Sequence, residues 1–125
     1  MKILAVSVVY NPEEELLLRS VASYADAVDA VWIWRNSPLP EALETALKQF
    51  EGLSLQGNGE NAGIAKALNA AARYARENGY DALLTMDQDS VWHELDRFLA
   101  AIKAPGAPEG FYAPVVESPS ADGRE

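Results

Sequence analysis

The run Ile3–Val9 reads Ile-Leu-Ala-Val-Ser-Val-Val, nearly all apolar and rich in β-branched residues. A strand with one wet face alternates polar and apolar side chains, and this run does not alternate. It therefore predicts a strand covered on both faces, which requires helices above and below the sheet. The rest of the chain supplies them. Tyr10-Asn11-Pro12 ends the strand, and the expected helix has Asn11 as its cap and Pro12 in its first turn. Glu13, Glu14 and Glu15 complement the positive helix end, and Leu17, Leu18, Val21 and Ala25 form its apolar face. A second strand is expected over 28–34, a helix over 40–50, and a short strand over 53–55. The longest helix is expected over 62–78, with Ile64, Leu68, Ala71, Ala72 and Ala75 on one face and Gly79 ending it. A strand over 80–86, a helix marked by Trp92, Leu95, Phe98, Leu99 and Ile102, and a strand over 110–116 complete the series. This β-α alternation predicts the α/β class, with a parallel sheet and right-handed crossovers.

At 125 residues the chain is expected to form one domain over 1–116, followed by a flexible tail over 117–125. Its formal net charge of −9 argues against nucleic acid or an anionic membrane as a direct partner. An anionic small substrate stays open, because a bound divalent cation can reverse the local sign. There are no cysteines, so disulfides and thiolate zinc sites are excluded. Met1-Lys2 leads into an apolar run too short to span a membrane and poorly shaped for a signal peptide. The expected location is the cytoplasm, either soluble or peripheral at the inner face of the membrane.

Chemistry concentrates at Leu83-Leu84-Thr85-Met86-Asp87-Gln88-Asp89-Ser90, where an apolar run ends in two carboxylates one residue apart. Open parallel sheets bind ligands just beyond the carboxyl ends of their strands. In an extended strand end, residues i and i+2 project to the same side, roughly 7 Å apart. Asp87 and Asp89 could then address one ligand, and a hard cation carrying a diphosphate suits such a pair. They could equally cap the helix expected near Val91, with Asp89 or Ser90 as the N-cap. Both readings stand on the residues alone. A second cluster, Asn61-Ala62-Gly63-Ile64-Ala65-Lys66-Ala67-Leu68-Asn69, has the small residues that let a helix start approach a sheet or an anionic ligand. An Ala-rich helix built for close packing explains it as well.

Taken in order, Val-Tyr-Asn-Pro, Arg-Asn-Ser, Asn-x-Gly-Ile-Ala-x-Ala-x-Asn and Leu-Leu-x-x-Asp-Gln-Asp-Ser resemble the motifs of family 2 glycosyltransferases. Within that family the chain is most similar to bacterial rhamnosyltransferase-type members, over residues 1–92. The resemblance implies a Rossmann-like GT-A fold, a three-layer α/β/α sandwich with a mainly parallel sheet, here truncated. It implies a nucleoside-diphosphate sugar donor, dTDP- or UDP-linked, a glycan acceptor, and Mg²⁺ or Mn²⁺. Asp89 would meet the metal; Asp87 would hold the ribose and support the metal. Tyr10, Asn11, Asn36 and Ser37 would line the nucleoside pocket, with Asn61 and Gly63 shaping the wall beside it. The metal would act as a Lewis acid on the departing nucleoside diphosphate.

Two departures from the family pattern stand out. Members commonly carry an acidic residue at the end of the second strand, where this chain has Arg35. A guanidinium cannot accept the same hydrogen bond. It could meet a phosphate, or extend into solvent beside Trp34, which is the reading favoured here. The family's acceptor site and carboxylate general base belong to a later half, and no residue is assigned as the base. A donor-binding part that does not turn over alone is the expectation. One competing enzyme reading treats Leu-Leu-Thr-Met-Asp-Gln-Asp-Ser-Val as the first motif of a haloacid-dehalogenase-type phosphatase, with Asp87 as nucleophile. A non-catalytic nucleotide-binding fragment is a third. His93 is expected at the surface rather than as a ligand, Trp32 and Trp34 in the core rather than against a sugar, and Lys66 and Arg73 in solvent.

Overall fold

The computed structural model describes residues 1–92. They form β1 (Ile3–Val9), α1 (Glu14–Ala22), a 3-10 turn (Ala25–Ala27), β2 (Ala30–Arg35), α2 (Glu41–Leu47), β3 (Leu53–Gln56), α3 (Ile64–Glu77) and β4 (Ala82–Met86). The helix expected after Trp92, the strand over 110–116, the tail over 117–125 and His93 lie outside the described residues.

The four strands make one sheet in the order β3-β2-β1-β4, and every pairing is parallel. This is the parallel α/β arrangement expected from the alternation of elements, and it agrees with the Rossmann-like fold that the resemblance implies. β1 is central, paired along its length with β2 on one side and with β4 on the other. Both its faces are covered. Ile3, Ala5 and Val9 join Leu17, Val21, Leu43 and Leu47 in the core beneath α1 and α2. Leu4 and Val6 join Trp32, Leu83, Ala71 and Ala75 beneath α3. Each fully buried Leu or Val contributes roughly 1.5–3 kcal/mol relative to an exposed one, so β1 is held chiefly by burial. Trp32 sits in the second core, tilted against Tyr74 at 4.8 Å between ring centroids.

Three local expectations are corrected. Asn11 does not cap α1: its φ is +43°, a left-handed conformation, whereas a cap residue is extended. Glu13 takes the role, its carboxylate accepting from the backbone N–H groups of Leu16 at 2.9 Å and Glu15 at 3.4 Å. Ala25 leaves the helix and is buried in the 3-10 turn that carries the chain into β2. Ile64, expected on the apolar face of α3, is 64% exposed, because the sheet is covered only from Ala67 onward. At its far end α3 closes as expected. Gly79 adopts φ +77°, and the Tyr80 N–H reaches back to the Ala75 carbonyl at 2.9 Å.

The core beneath α1 also holds polar groups. Ser7 Oγ, the Tyr24 hydroxyl and Ser90 Oγ are buried and make no well-formed hydrogen bond among the described residues. Burial pushes the Tyr24 phenol well above its ordinary value, and the neighbouring Ser7 hydroxyl only partly offsets this. The Tyr24 and Ser7 hydroxyls have at best a weak contact with each other, so Tyr24→Phe is expected to change stability by less than about 1 kcal/mol in urea unfolding at pH 7. The native state holds the phenolic proton where the unfolded chain releases it. Stability is therefore expected to fall as pH rises above about 10, and the wild type should lose more than Tyr24→Phe between pH 9 and pH 11.

Candidate functional site

The strand order reverses beside β1: the chain moves outward through β2 and β3, then returns through α3 to place β4 on the other side. Ligands of open α/β sheets bind in the crevice at such a reversal, outside the carboxyl ends of the strands. The carboxyl ends of β1 and β4 carry Tyr10-Asn11 and Asp87-Gln88-Asp89, and that of β2 carries Asn36-Ser37. The segment leading into α3 carries Asn61 and Gly63. All the residues expected at a donor site from the sequence therefore lie along one edge of the sheet.

Hydrogen bonds tie this edge together. The Asn36 N–H donates to the Val9 carbonyl at 2.9 Å, and the Asn11 N–H donates to Ser37 Oγ at 2.8 Å. Asn36 Oδ1 accepts from Trp34 Nε1 at 3.1 Å and from the Ala62 N–H at 3.2 Å. Both partners can only donate, which fixes the orientation of the amide and turns Nδ2 away from them. Asn36 and Ser37 are buried, so their first task is to hold the ends of β1, β2 and the α3 lead-in in one register. Asn61 is exposed and accepts the Gly63 N–H at 3.1 Å in a tight Asx turn. Gly63 takes φ +86°, and a Cβ there would meet nothing within 4 Å. Backbone conformation, not packing against the sheet, is what glycine supplies at this position. No side chain caps α3, and Lys66 in its first turn is exposed, as expected.

Asp87 and Asp89 do not sit on an extended strand end. β4 stops at Met86, and the chain turns at Gln88 and Asp89, so strand alternation does not govern where the two carboxylates point. The turn is held by everything except those carboxylates. Ser20 Oγ on α1 donates to the Asp87 carbonyl at 3.3 Å, and the Trp92 N–H donates to Ser23 Oγ at 3.0 Å. The Gln88 side chain bonds the Tyr10 backbone twice, and Ser90 is buried. Asp87 is exposed and Asp89 half-buried, and neither carboxylate has a hydrogen bond or ion pair among the described residues. The helix-cap alternative concerns a helix outside those residues.

Acids at the opposite edge behave differently. Asp29 Oδ2 accepts the Ile3 N–H at 2.6 Å, and Asp81 Oδ2 accepts the Lys2 N–H at 2.7 Å. At the amino ends of β2 and β4, carboxylates satisfy the start of β1; at the carboxyl end of β4 they have no such partner among the described residues.

Arg35 points neither to a phosphate position nor to open solvent. Its Nε donates to the Gln56 carbonyl at 3.3 Å and its Nη2 to the Gly57 carbonyl at 2.6 Å, while Nη1 pairs with Glu44 at 3.0 Å. The guanidinium thus fastens the end of β3 to β2 and α2. Gly57 is required beside it: its φ is +77°, and a Cβ would come within 2.9 Å of the Arg35 carbonyl oxygen. Nothing in the sequence signals this use, because the three acceptors come from distant positions.

A profile of the glycosyl transferase family 2 matches residues 5–109. The chain belongs to glycosyl transferase family 2. The matched span takes in β1 from Ala5 onward and all of β2, β3 and β4, and the family does not favour the phosphatase reading. No curated protein shows a significant match to the chain. Among the described residues no helix is long and apolar enough to cross a membrane.

The Asn36 hub can be tested without a ligand. Asn36→Leu removes the acceptor shared by Trp34 Nε1 and the Ala62 N–H, and is expected to lower stability by about 1–3 kcal/mol in urea denaturation. Asn36→Asp retains an acceptor oxygen and is expected to lose less.

Proposed function

We propose that this edge of the sheet binds the nucleoside-diphosphate sugar donor of a glycosyltransferase. The observation that carries the reading is the pair of carboxylates, Asp87 and Asp89, without a partner among the described residues on a turn that is otherwise pinned. Preorganised groups without protein partners are what a ligand site needs, since little remains to be ordered on binding.

The donor set suits a divalent cation that arrives with its substrate. No group of three or more His, Asp or Glu side chains is placed to hold an ion by itself among the described residues. Two carboxylates leave coordination positions for phosphate oxygens and water, as Mg²⁺ sites in nucleotide enzymes require. In this reading Asp87 and Asp89 hold Mg²⁺ or Mn²⁺ on the diphosphate, with Asp87 also near the ribose. Bound there, the ion supplies charge neutralisation to the leaving nucleoside diphosphate. Tyr10 and Asn11, with the Asn36-Ser37 turn, form the nucleoside side. Tyr10 is 53% exposed, leaving its ring available to stack on a base or sugar. Asn61 and Gly63 border the same opening. The favoured donor is a dTDP- or UDP-linked sugar, with rhamnose the leading candidate from the Asp-Gln-Asp-Ser motif, and the acceptor is a glycan. Arg35, occupied by Glu44 and the β3 end, takes no part in nucleotide recognition.

Calorimetric titration with UDP and dTDP, with and without Mn²⁺, tests the reading. Binding is expected to require the metal, and Asp89→Ala or Asp87→Ala should weaken it about 10- to 100-fold, the value of one charge-assisted contact. Metal-independent binding that both variants retain, or no binding of either nucleotide, overturns it.

A further inference from the structure

The residue between the two carboxylates has a different task from theirs. The backbone ladder between β1 and β4 ends at the pair Ser7–Met86. Beyond it the two chains separate, and the Gln88 side chain bridges them. The Tyr10 N–H donates to Gln88 Oε1 at 2.8 Å, and Gln88 Nε2 donates to the Tyr10 carbonyl at 3.3 Å, across 78 positions of sequence. The carboxamide thus imitates one more residue of β-pairing, made by a side chain at the point where the sheet order reverses.

The chemistry of this clamp is selective. It needs a donor and an acceptor on one short planar group, which only Asn and Gln carry as neutral side chains. Glu at this position could accept from the Tyr10 N–H but would oppose the Tyr10 carbonyl. It would also add a third negative charge between Asp87 and Asp89. Because one Tyr10 partner only donates and the other only accepts, the orientation of the amide follows from the bonds themselves. The clamp continues sideways: Asn11, the next residue, donates its N–H to Ser37 Oγ, so Gln88, Tyr10, Asn11 and Ser37 link the ends of β4, β1 and β2 in one line.

We propose that Gln88 is a positioning residue for the donor site, one that sets the two carboxylates in register with Tyr10 and Asn11. This rests on the donor-site reading above. Held this way, the acidic turn and the nucleoside side of the site form one preassembled surface, and the ordering cost of binding falls. Nucleotide affinity then depends on a residue whose polar atoms face the protein.

Gln88→Met, which keeps the length of the side chain and removes both bonds, and Gln88→Glu test this in the full chain by two measurements. In amide hydrogen exchange, the wild-type Tyr10 N–H is expected to be protected although its side chain is exposed. Gln88→Met should speed its exchange while the amides of Ala5 and Val6 stay protected, and Gln88→Glu, which keeps an acceptor for this N–H, should speed it less. In titration with dTDP or UDP plus Mn²⁺, Gln88→Met is expected to weaken binding about 10-fold and Gln88→Glu more, with thermal unfolding little changed. Unchanged Tyr10 exchange in Gln88→Met overturns the clamp. Faster Tyr10 exchange with wild-type nucleotide affinity overturns the positioning role and leaves the donor site standing. Failure of the wild type itself to bind either nucleotide overturns the donor site, and the positioning role with it.

Discussion

Parallel pairing of β1 on both of its edges is the constraint from which the rest of the structure follows. A strand buried above, below and on both sides has no room for an exposed face, and the residues Ile3–Val9 contain none. With β2 and β3 on one side and β4 on the other, the order reverses beside β1, and the sheet opens at its carboxyl edge. The loops gathered there take their positions from the end of β1: Asn36 from the Val9 carbonyl, Gln88 from both backbone groups of Tyr10, and Ser37 from the Asn11 N–H. The site is an extension of strand pairing into side chains.

The two edges of the sheet divide the work of the acidic residues. On the amino edge, Asp29 and Asp81 complete hydrogen bonds that the first residues of β1 would otherwise lack. Each of these carboxylates is committed to a backbone N–H by a strong charge-assisted hydrogen bond. On the carboxyl edge, the turn after β4 spends its backbone and its intervening glutamine on anchorage and leaves both carboxylates without a partner among the described residues. In a chain of net charge −9 that arrangement favours a cation or a cation-borne anion over a bare phosphate.

Much of this was legible in the sequence because it follows from periodicity. The unbroken apolar run of β1 requires a doubly covered strand, and the spacing of Leu68, Ala71 and Ala75 requires a helix against it. Gly79 ends that helix for a reason local to the backbone. Sequence and structure part where a residue's role depends on a partner far along the chain. Asn11 has the composition of a cap, but its N–H is committed to Ser37 Oγ and its backbone is left-handed. Arg35 looked free because its acceptors at Glu44, Gln56 and Gly57 converge only when α2 and β3 pack beside β2. Gln88 stands in the sequence only as part of the Asp-Gln-Asp-Ser motif, since an amide between two acids gives no signal of a clamp until Tyr10 is placed opposite it.

The sequence by itself determined the α/β class, the order of elements, the family and the set of residues brought to one edge, because these depend on hydrophobic period and local motifs. Only the tertiary structure decided which polar groups at that edge are spent and which are left over. Hydrogen-bond satisfaction is a property of pairs, and the pairs that matter here join residues 26 and 78 positions apart. Asn36, Ser37, Arg35 and Gln88 are consumed in holding the strand ends together. Asp87 and Asp89 stay without a hydrogen bond or ion pair among the described residues, beside groups that are committed.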